Sequence, residues 1–254
     1  MRTRAIAAAA ALIVTTGAAQ AAEIDAMITT AMKAAVDELA PPFERASGHV
    51  LRITYGPSGG LARRLNAGEA ADLIVVDGKA LDELIKQGKV VGGRTDVART
   101  GIGIAVRKGA PKPDVSSPEA LKHALLEART VGHAAPAGGS ITAAHIERVF
   151  QRLGIAAEMT PKVKLAAGGP NGRVSVLVSS GEAEIGLQQV SELMSNPDVE
   201  VIGMLPAQLQ LTTIYSAGVT TSASEAEAAK ALINALTAPS AAAIYKAKGL
   251  DPAW

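Results

Sequence analysis

The sequence predicts an α/β protein with mostly parallel sheets and crossover helices. Short apolar runs alternate with helical patterns along almost the whole chain. Loops of Ser, Thr, Gly and Asn repeatedly stand between such a run and the helix after it. The length, 254 residues with a leader to be removed, suits one large α/β domain or two small ones.

The elements follow in order. A strand over 24–28 precedes a helix over 30–45. A strand over 50–55 runs through Gly56-Pro57-Ser58-Gly59-Gly60 into a helix over 61–67, where Leu61 and Leu65 stand one turn apart. The run Leu73-Ile74-Val75-Val76 is apolar without alternation, the mark of a strand buried on both faces, and a helix over 79–87 follows. A β-like stretch covers 101–107. Beyond it come a helix over 118–128, a strand near Val131, a helix over 141–153, a strand near Val163, a helix over 174–180 and a strand over 183–187. Strands over 199–204 and 211–219 precede two Ala-rich helices, 225–236 and 240–248, read as scaffold because Ala is the best helix former. There is no internal repeat and no long low-complexity linker, and Trp254 is expected to dock on the surface.

The N-terminus reads as a secretion signal. Arg2 and Arg4 form a basic start, residues 5–14 an apolar stretch, and Ala19-Gln20-Ala21 a small-x-small cleavage site, so the mature chain is expected to begin at Ala22. Nothing later is apolar for long enough to span a bilayer. There is no cysteine, which excludes thiol catalysis, iron–sulfur clusters and Cys-ligated zinc. Without Arg2 and Arg4 the chain carries 23 basic against 24 acidic residues, a balance that gives nucleic-acid binding no support. Aromatic content of 2% is too low for base-stacking platforms or a sugar-binding cleft.

Four loops share one design, each at the carboxyl end of a predicted strand and the start of a helix. They are Thr29-Thr30, Pro57-Ser58-Gly59-Gly60, Pro136-Ala137-Gly138-Gly139-Ser140, and Gly168-Gly169-Pro170-Asn171-Gly172-Arg173. Ser, Thr, Asn and Gly are ordinary cap and turn residues. The same groups, with the positive end of a helix, also suit an anion. No loop ends in Gly-Lys-Ser/Thr, so nucleotide hydrolysis is unsupported. Arg173 is either a solvated arginine or a bidentate clamp on an oxyanion. Lys33 defaults to the surface, with a lean into the cleft as the alternative. The amides of Gln188 and Gln189 either satisfy local backbone or face a polar ligand, and the ligand is favoured. No two of His49, His123, His133 and His145 have metal-ligand spacing, so neither a metal nor a cofactor is expected. His133 is read as bonded to backbone, with a proton carrier as the alternative. No G-x-S-x-G elbow occurs, so a serine hydrolase is unsupported.

Taken in order, the segments TTAMKAAVDELAPPFE, YGPSGGLARRLNAGEAADLIVVD, GGSITAAHIERVFQRLGI and GRVSVLVSSGEAEIGLQQVSEL resemble the periplasmic molybdate-binding proteins of ABC importers. The resemblance covers nearly the whole mature chain. It implies a type II periplasmic-binding fold: two α/β lobes joined by crossing strands and closing on a ligand. Lobe 1 is then expected over 22–105 with 215–254, and lobe 2 over 106–214, after a signal over 1–21. It also implies an oxyanion held by uncharged donors, falling at Thr30 or Ala31, at Ser58 with Gly59, at Ser140 to Thr142, and at Asn171 with Gly172, beside Arg173. Thr29 adds a hydroxyl at the first loop. The family's tyrosine position falls at Gln189.

The expected function is that of a soluble, monomeric periplasmic solute-binding protein, neither membrane-embedded nor bound to nucleic acid. It would deliver a small oxyanion or polycarboxylate to the membrane subunits of an ABC importer. A periplasmic aconitate isomerase is similar to this family. The alternative is therefore an isomerase of aconitate or a similar unsaturated tricarboxylate, acting by proton transfer on the same fold.

Overall fold

A computed structural model describes residues 21–167 and 173–254. The expected signal, apart from Ala21, and Asn171 lie outside the described residues. The chain opens on β1 (Glu23–Thr29), which passes through a 3-10 turn (Thr30–Met32) into α1 (Lys33–Ser47). β2 (Val50–Gly56) leads to α2 (Ser58–Asn66), and β3 (Leu73–Asp77) to α3 (Gly78–Lys86). Ser58, Gly59 and Gly60 are therefore the first turn of α2, where the sequence predicts a loop. Pro57 caps that turn with extended backbone, and its carbonyl accepts from the N–H of Gly60 and Leu61 at 2.9 and 3.0 Å. Two adjacent glycines have low helix propensity, which hides the start from a pattern reading.

β4 (Val90–Thr100) has no counterpart among the predicted strands. Gly92 and Gly93 take φ of 76° and 91°, and its middle is exposed, so no alternation marks it. The second lobe holds β5 (Ile102–Arg107), α4 (Pro118–Glu127), β6 (Val131–Ala134), a 3-10 turn (Pro136–Gly138), α5 (Ile141–Arg152), α6 (Ala156–Met159) and β7 (Val163–Ala166). It continues through α7 (Val174–Ser180), β8 (Ile185–Gln189), α8 (Val190–Leu193) and β9 (Val199–Met204). β10 (Thr213–Thr220) returns to the first lobe, and α9 (Ala226–Leu236), α10 (Ala241–Ala247) and β11 (Asp251–Pro252) complete it.

The first sheet has the order β11-β4-β10-β3-β1-β2 and the second β7-β6-β8-β5-β9. Both are mixed. β1 is parallel to β2 and β3, and β6 to β7 and β8, as crossover helices require. The strands around the two crossings, β4, β5, β9 and β10, pair antiparallel. The chain changes sheet at Gly101 and again ahead of Thr213, against the expected 105/106 and 214/215. A Cβ at Gly101 would lie 2.5 Å from the Met204 methyl, so that flexible side chain would have to move aside.

The burial pattern explains the layers. In β3, Leu73 and Val75 join one core with Ile24, Ile28 and Leu232, while Ile74 and Val76 join another with Met27, Leu61 and Leu81. Successive side chains point to opposite faces, so a strand covered by helices on both sides must be apolar throughout. The second lobe repeats this, with Ile104 and Leu187 facing α4 and α5 and Ala105 facing α7. Asp72, 2% exposed, fastens the C-terminal helices to the first lobe. Its carboxylate accepts from the N–H of Asp25 at 2.8 Å and from those of Ser224 and Glu225 at 2.8 and 2.9 Å. Among the described residues no helix is long and apolar enough to cross a membrane.

Candidate functional site

Between the lobes lies a cleft of about 600 Å³. Parallel strands end there, so the helix starts behind β1, β2 and β6 all face it, the usual ligand position in open α/β sheets. Thr29, Thr30, Ser58, Ser140, Thr142, Arg173 and Gln189 line it. Gly59 does not. Its N–H donates to Gly139 O at 3.3 Å, an interlobe contact beside the cleft.

The hydroxyls differ in what they have left to offer. Ser58 Oγ accepts from Asp77 N–H at 3.1 Å and donates to Thr29 Oγ1 at 3.3 Å. Its capacity is used within the protein, and the Thr29 proton is the one left over. Ser140 caps α5 by accepting from Ala143 N–H at 3.3 Å, which leaves its O–H to donate. Thr30 Oγ1 donates to Glu192 Oε1 at 3.2 Å. Ser191, 2% exposed and also lining the cleft, has a hydroxyl without a hydrogen-bond partner among the described residues.

Gln189, 3% exposed, is committed to the protein despite facing the cleft. Its amide nitrogen donates to Thr213 Oγ1 at 3.4 Å, and its oxygen accepts from the Tyr215 hydroxyl. It ties β8 of one lobe to β10 of the other. Tyr215 thus brings a phenol to the cleft from a strand the sequence reading gave no site role, beside Gln189, where the family resemblance expected a tyrosine. Burial, with the charges of Glu192 and Asp77 nearby, keeps that phenol protonated far above its ordinary range. His133 is 2% exposed, and its Nδ1 bonds to Ala134 O at 2.8 Å. Burial lowers its pKa, against the backbone bond to Ala134 and the Glu147 charge, which favour the protonated ring.

Charge enters the cleft at several points. Arg173 caps α7 with extended backbone and, among the described residues, is in no ion pair. Lys33 pairs with Asp37 at 2.6 Å and lies 4.4 Å from the centre of the Tyr55 ring. Lys248 pairs with Glu38 at 2.8 Å. Sequence reasoning left Lys33 at the surface by default and passed over Lys248 and Glu192. Glu192 sits half-buried in α8 and lines the cleft. Burial pushes its carboxyl up to about 7, against the Thr30 hydrogen bond and the Arg173 charge, which both favour ionisation. Its one sequence signal is its place just after the strand-end pair Gln188-Gln189. No group of three or more candidate ligands that could hold a metal occurs among the described residues.

Two lobes joined by crossing strands around a polar cleft are the architecture of the two-lobed periplasmic binding fold. This chain belongs to the bacterial extracellular solute-binding protein family, which matches residues 24–251. It is 35% identical over 224 residues to an aconitate isomerase from a Pseudomonas species, covering 85% of this chain and 83% of that protein. It is 27% identical to the molybdate-binding protein ModA of Azotobacter vinelandii, over 91% of each chain. In structure it is similar to the periplasmic molybdate-binding protein of Azotobacter vinelandii, with a TM-score of 0.73 at 20% identity over 91% of this chain and 98% of that one.

Proposed function

We propose that the protein is a periplasmic receptor for a small organic polyanion, which it passes to the membrane subunits of an ABC importer. One observation carries the ligand class: Arg173, in no ion pair among the described residues, lines the same cleft as the helix-start hydroxyls, together with Lys33 and Lys248, which pair with Asp37 and Glu38. A polycarboxylate spreads its charges over several ångströms and gains from separate cations, whereas a compact tetrahedral oxyanion is satisfied by a tight ring of neutral donors. The anion would be held by Thr29, Ser140 and Thr142 on facing lobes, with Thr30, Ser58 and Gln189 shaping the walls. A ligand that binds only the folded state raises thermal stability. Citrate and the two aconitates are expected to do so, and molybdate and tungstate are not. A shift with molybdate alone would reverse the assignment.

A second reading is favoured by Glu192. It is an ionisable carboxyl in the cleft of a chain 35% identical to an aconitate isomerase. On this reading the bound unsaturated tricarboxylate is isomerised rather than only carried. Incubation with cis-aconitate followed by proton NMR decides it: a trans signal growing with protein concentration supports turnover, and an unchanged spectrum rejects it.

A further inference from the structure

Glu192 is out of place in a site that does nothing except hold anions. An ionised carboxylate there opposes the ligand, and burying it costs further free energy. Its surroundings are those of a group held ready to exchange a proton. One oxygen receives the Thr30 hydroxyl from the opposite lobe at 3.2 Å. The neighbouring Ser191 hydroxyl is buried without a partner among the described residues. Arg173 and the Tyr215 phenol, the latter from the first-lobe side, line the same cleft. Lys33, Asp37, Tyr55 and Lys248 complete the ionisable groups lining the cleft among the described residues.

We propose, resting on the second reading above, that Glu192 is the catalytic proton carrier of an allylic isomerisation in this cleft. The ionised carboxylate takes a proton from the methylene carbon next to the double bond of an unsaturated tricarboxylate. The C–H bond breaks, an O–H bond forms on Glu192, and the electron pair spreads over three carbons and their attached carboxylates. Arg173 and the Thr29 hydroxyl offset the charge that builds there. Glu192 then returns the proton to the far carbon of the three. A new C–H bond forms, the double bond moves by one position, and the carboxylate is regenerated. The geometry of the product depends on the conformation held about the bond that becomes double. No oxidant, reductant or net proton is consumed. A carboxyl that titrates near neutrality suits both halves of such a cycle.

The test uses the mature protein with cis-aconitate in D2O, followed by proton NMR. The wild type is expected to interconvert cis and trans forms with deuterium entering the methylene position. Glu192→Gln is expected to retain the thermal shift with aconitate while losing on the order of 100-fold or more in rate. A wild type that binds aconitate without isomerising it overturns the isomerase reading and this assignment with it. A wild type that isomerises, with a Glu192→Gln variant within fivefold of it, overturns the assignment alone. Should that variant not fold, Thr30→Val decides. Loss of a hydrogen bond to the carboxylate is expected to move the limb of the pH–rate profile near 7 upward, and an unmoved limb rejects Glu192 as the titrating group.

Discussion

Thr30 and Glu192 meet across the cleft: the threonine hydroxyl, in the turn that follows β1, donates to the glutamate carboxyl in α8 at 3.2 Å. The bond joins the two lobes at the cleft wall and leaves a partly desolvated carboxyl facing any ligand that enters.

That carboxyl makes the ligand-free protein sensitive to pH. Glu192 rises from an ordinary 4.5 to about 7 on folding, so between those values the folded state binds more protons than the unfolded one. Its contribution to stability is fully present below about 4.5 and is lost as pH rises through 7, by on the order of 3 kcal/mol at most. Urea midpoints at pH 5 and pH 8 are expected to converge in Glu192→Gln relative to the wild type. Parallel behaviour of the two proteins would show that Glu192 does not titrate in this range.

Gly59 lies where the two lobes touch. A Cβ at this position would lie 2.8 Å from the Gly139 carbonyl oxygen on the other lobe. Within α2 itself alanine is the better residue by roughly 0.5–1 kcal/mol. Gly59→Ala is therefore expected to keep or raise the melting temperature of the ligand-free protein while weakening citrate or aconitate binding about tenfold. Titration calorimetry beside a thermal melt separates the two effects, and unchanged affinity would mean that closure does not need this contact.

Gln189 is expected to matter for stability before it matters for ligand. Gln189→Ala leaves the buried Tyr215 hydroxyl without its acceptor and Thr213 without its donor. A loss of about 1–3 kcal/mol in the urea-derived unfolding free energy should follow. A wild-type midpoint would imply that water replaces the amide.

Asp72 carries a purely structural prediction. Asp72→Ala removes the acceptor of three backbone N–H groups, from Asp25, Ser224 and Glu225. Charge-assisted bonds of this kind make the expected cost about 3 kcal/mol or more, read as a lower denaturant midpoint. Ligand affinity of the remaining folded protein should not change, since Asp72 lies away from the cleft lining.

The alternation of strands and helices was legible because it is written locally. Leu73-Ile74-Val75-Val76 announces a doubly covered strand, and β3 is buried at every position. β4 was missed because its glycines and exposed middle carry no period, although it is the strand that delivers the chain to the other lobe. Three of the four loops reach the cleft through Thr29, Thr30, Ser58, Ser140 and Thr142, and the fourth reaches it through Arg173. The sequence reading directs Ser58 and Gln189 at a ligand, and the structure places them in the first turn of α2 and at the end of β8. Their hydrogen bonds, however, go to Thr29, Asp77, Thr213 and Tyr215, partners that no spacing rule could name.

By itself the sequence determined the α/β class, the apolar layers and the hydroxyl-bearing helix starts, because periodicity, propensity and capping act over a few residues. Only the tertiary structure decided which groups share the cleft. Thr30 and Glu192 are 162 positions apart and meet because the chain crosses between the sheets at Gly101 and returns ahead of Thr213. The raised pKa of Glu192 comes from burial, against the Thr30 bond and the Arg173 charge, and that burial exists only once distant segments have packed around it.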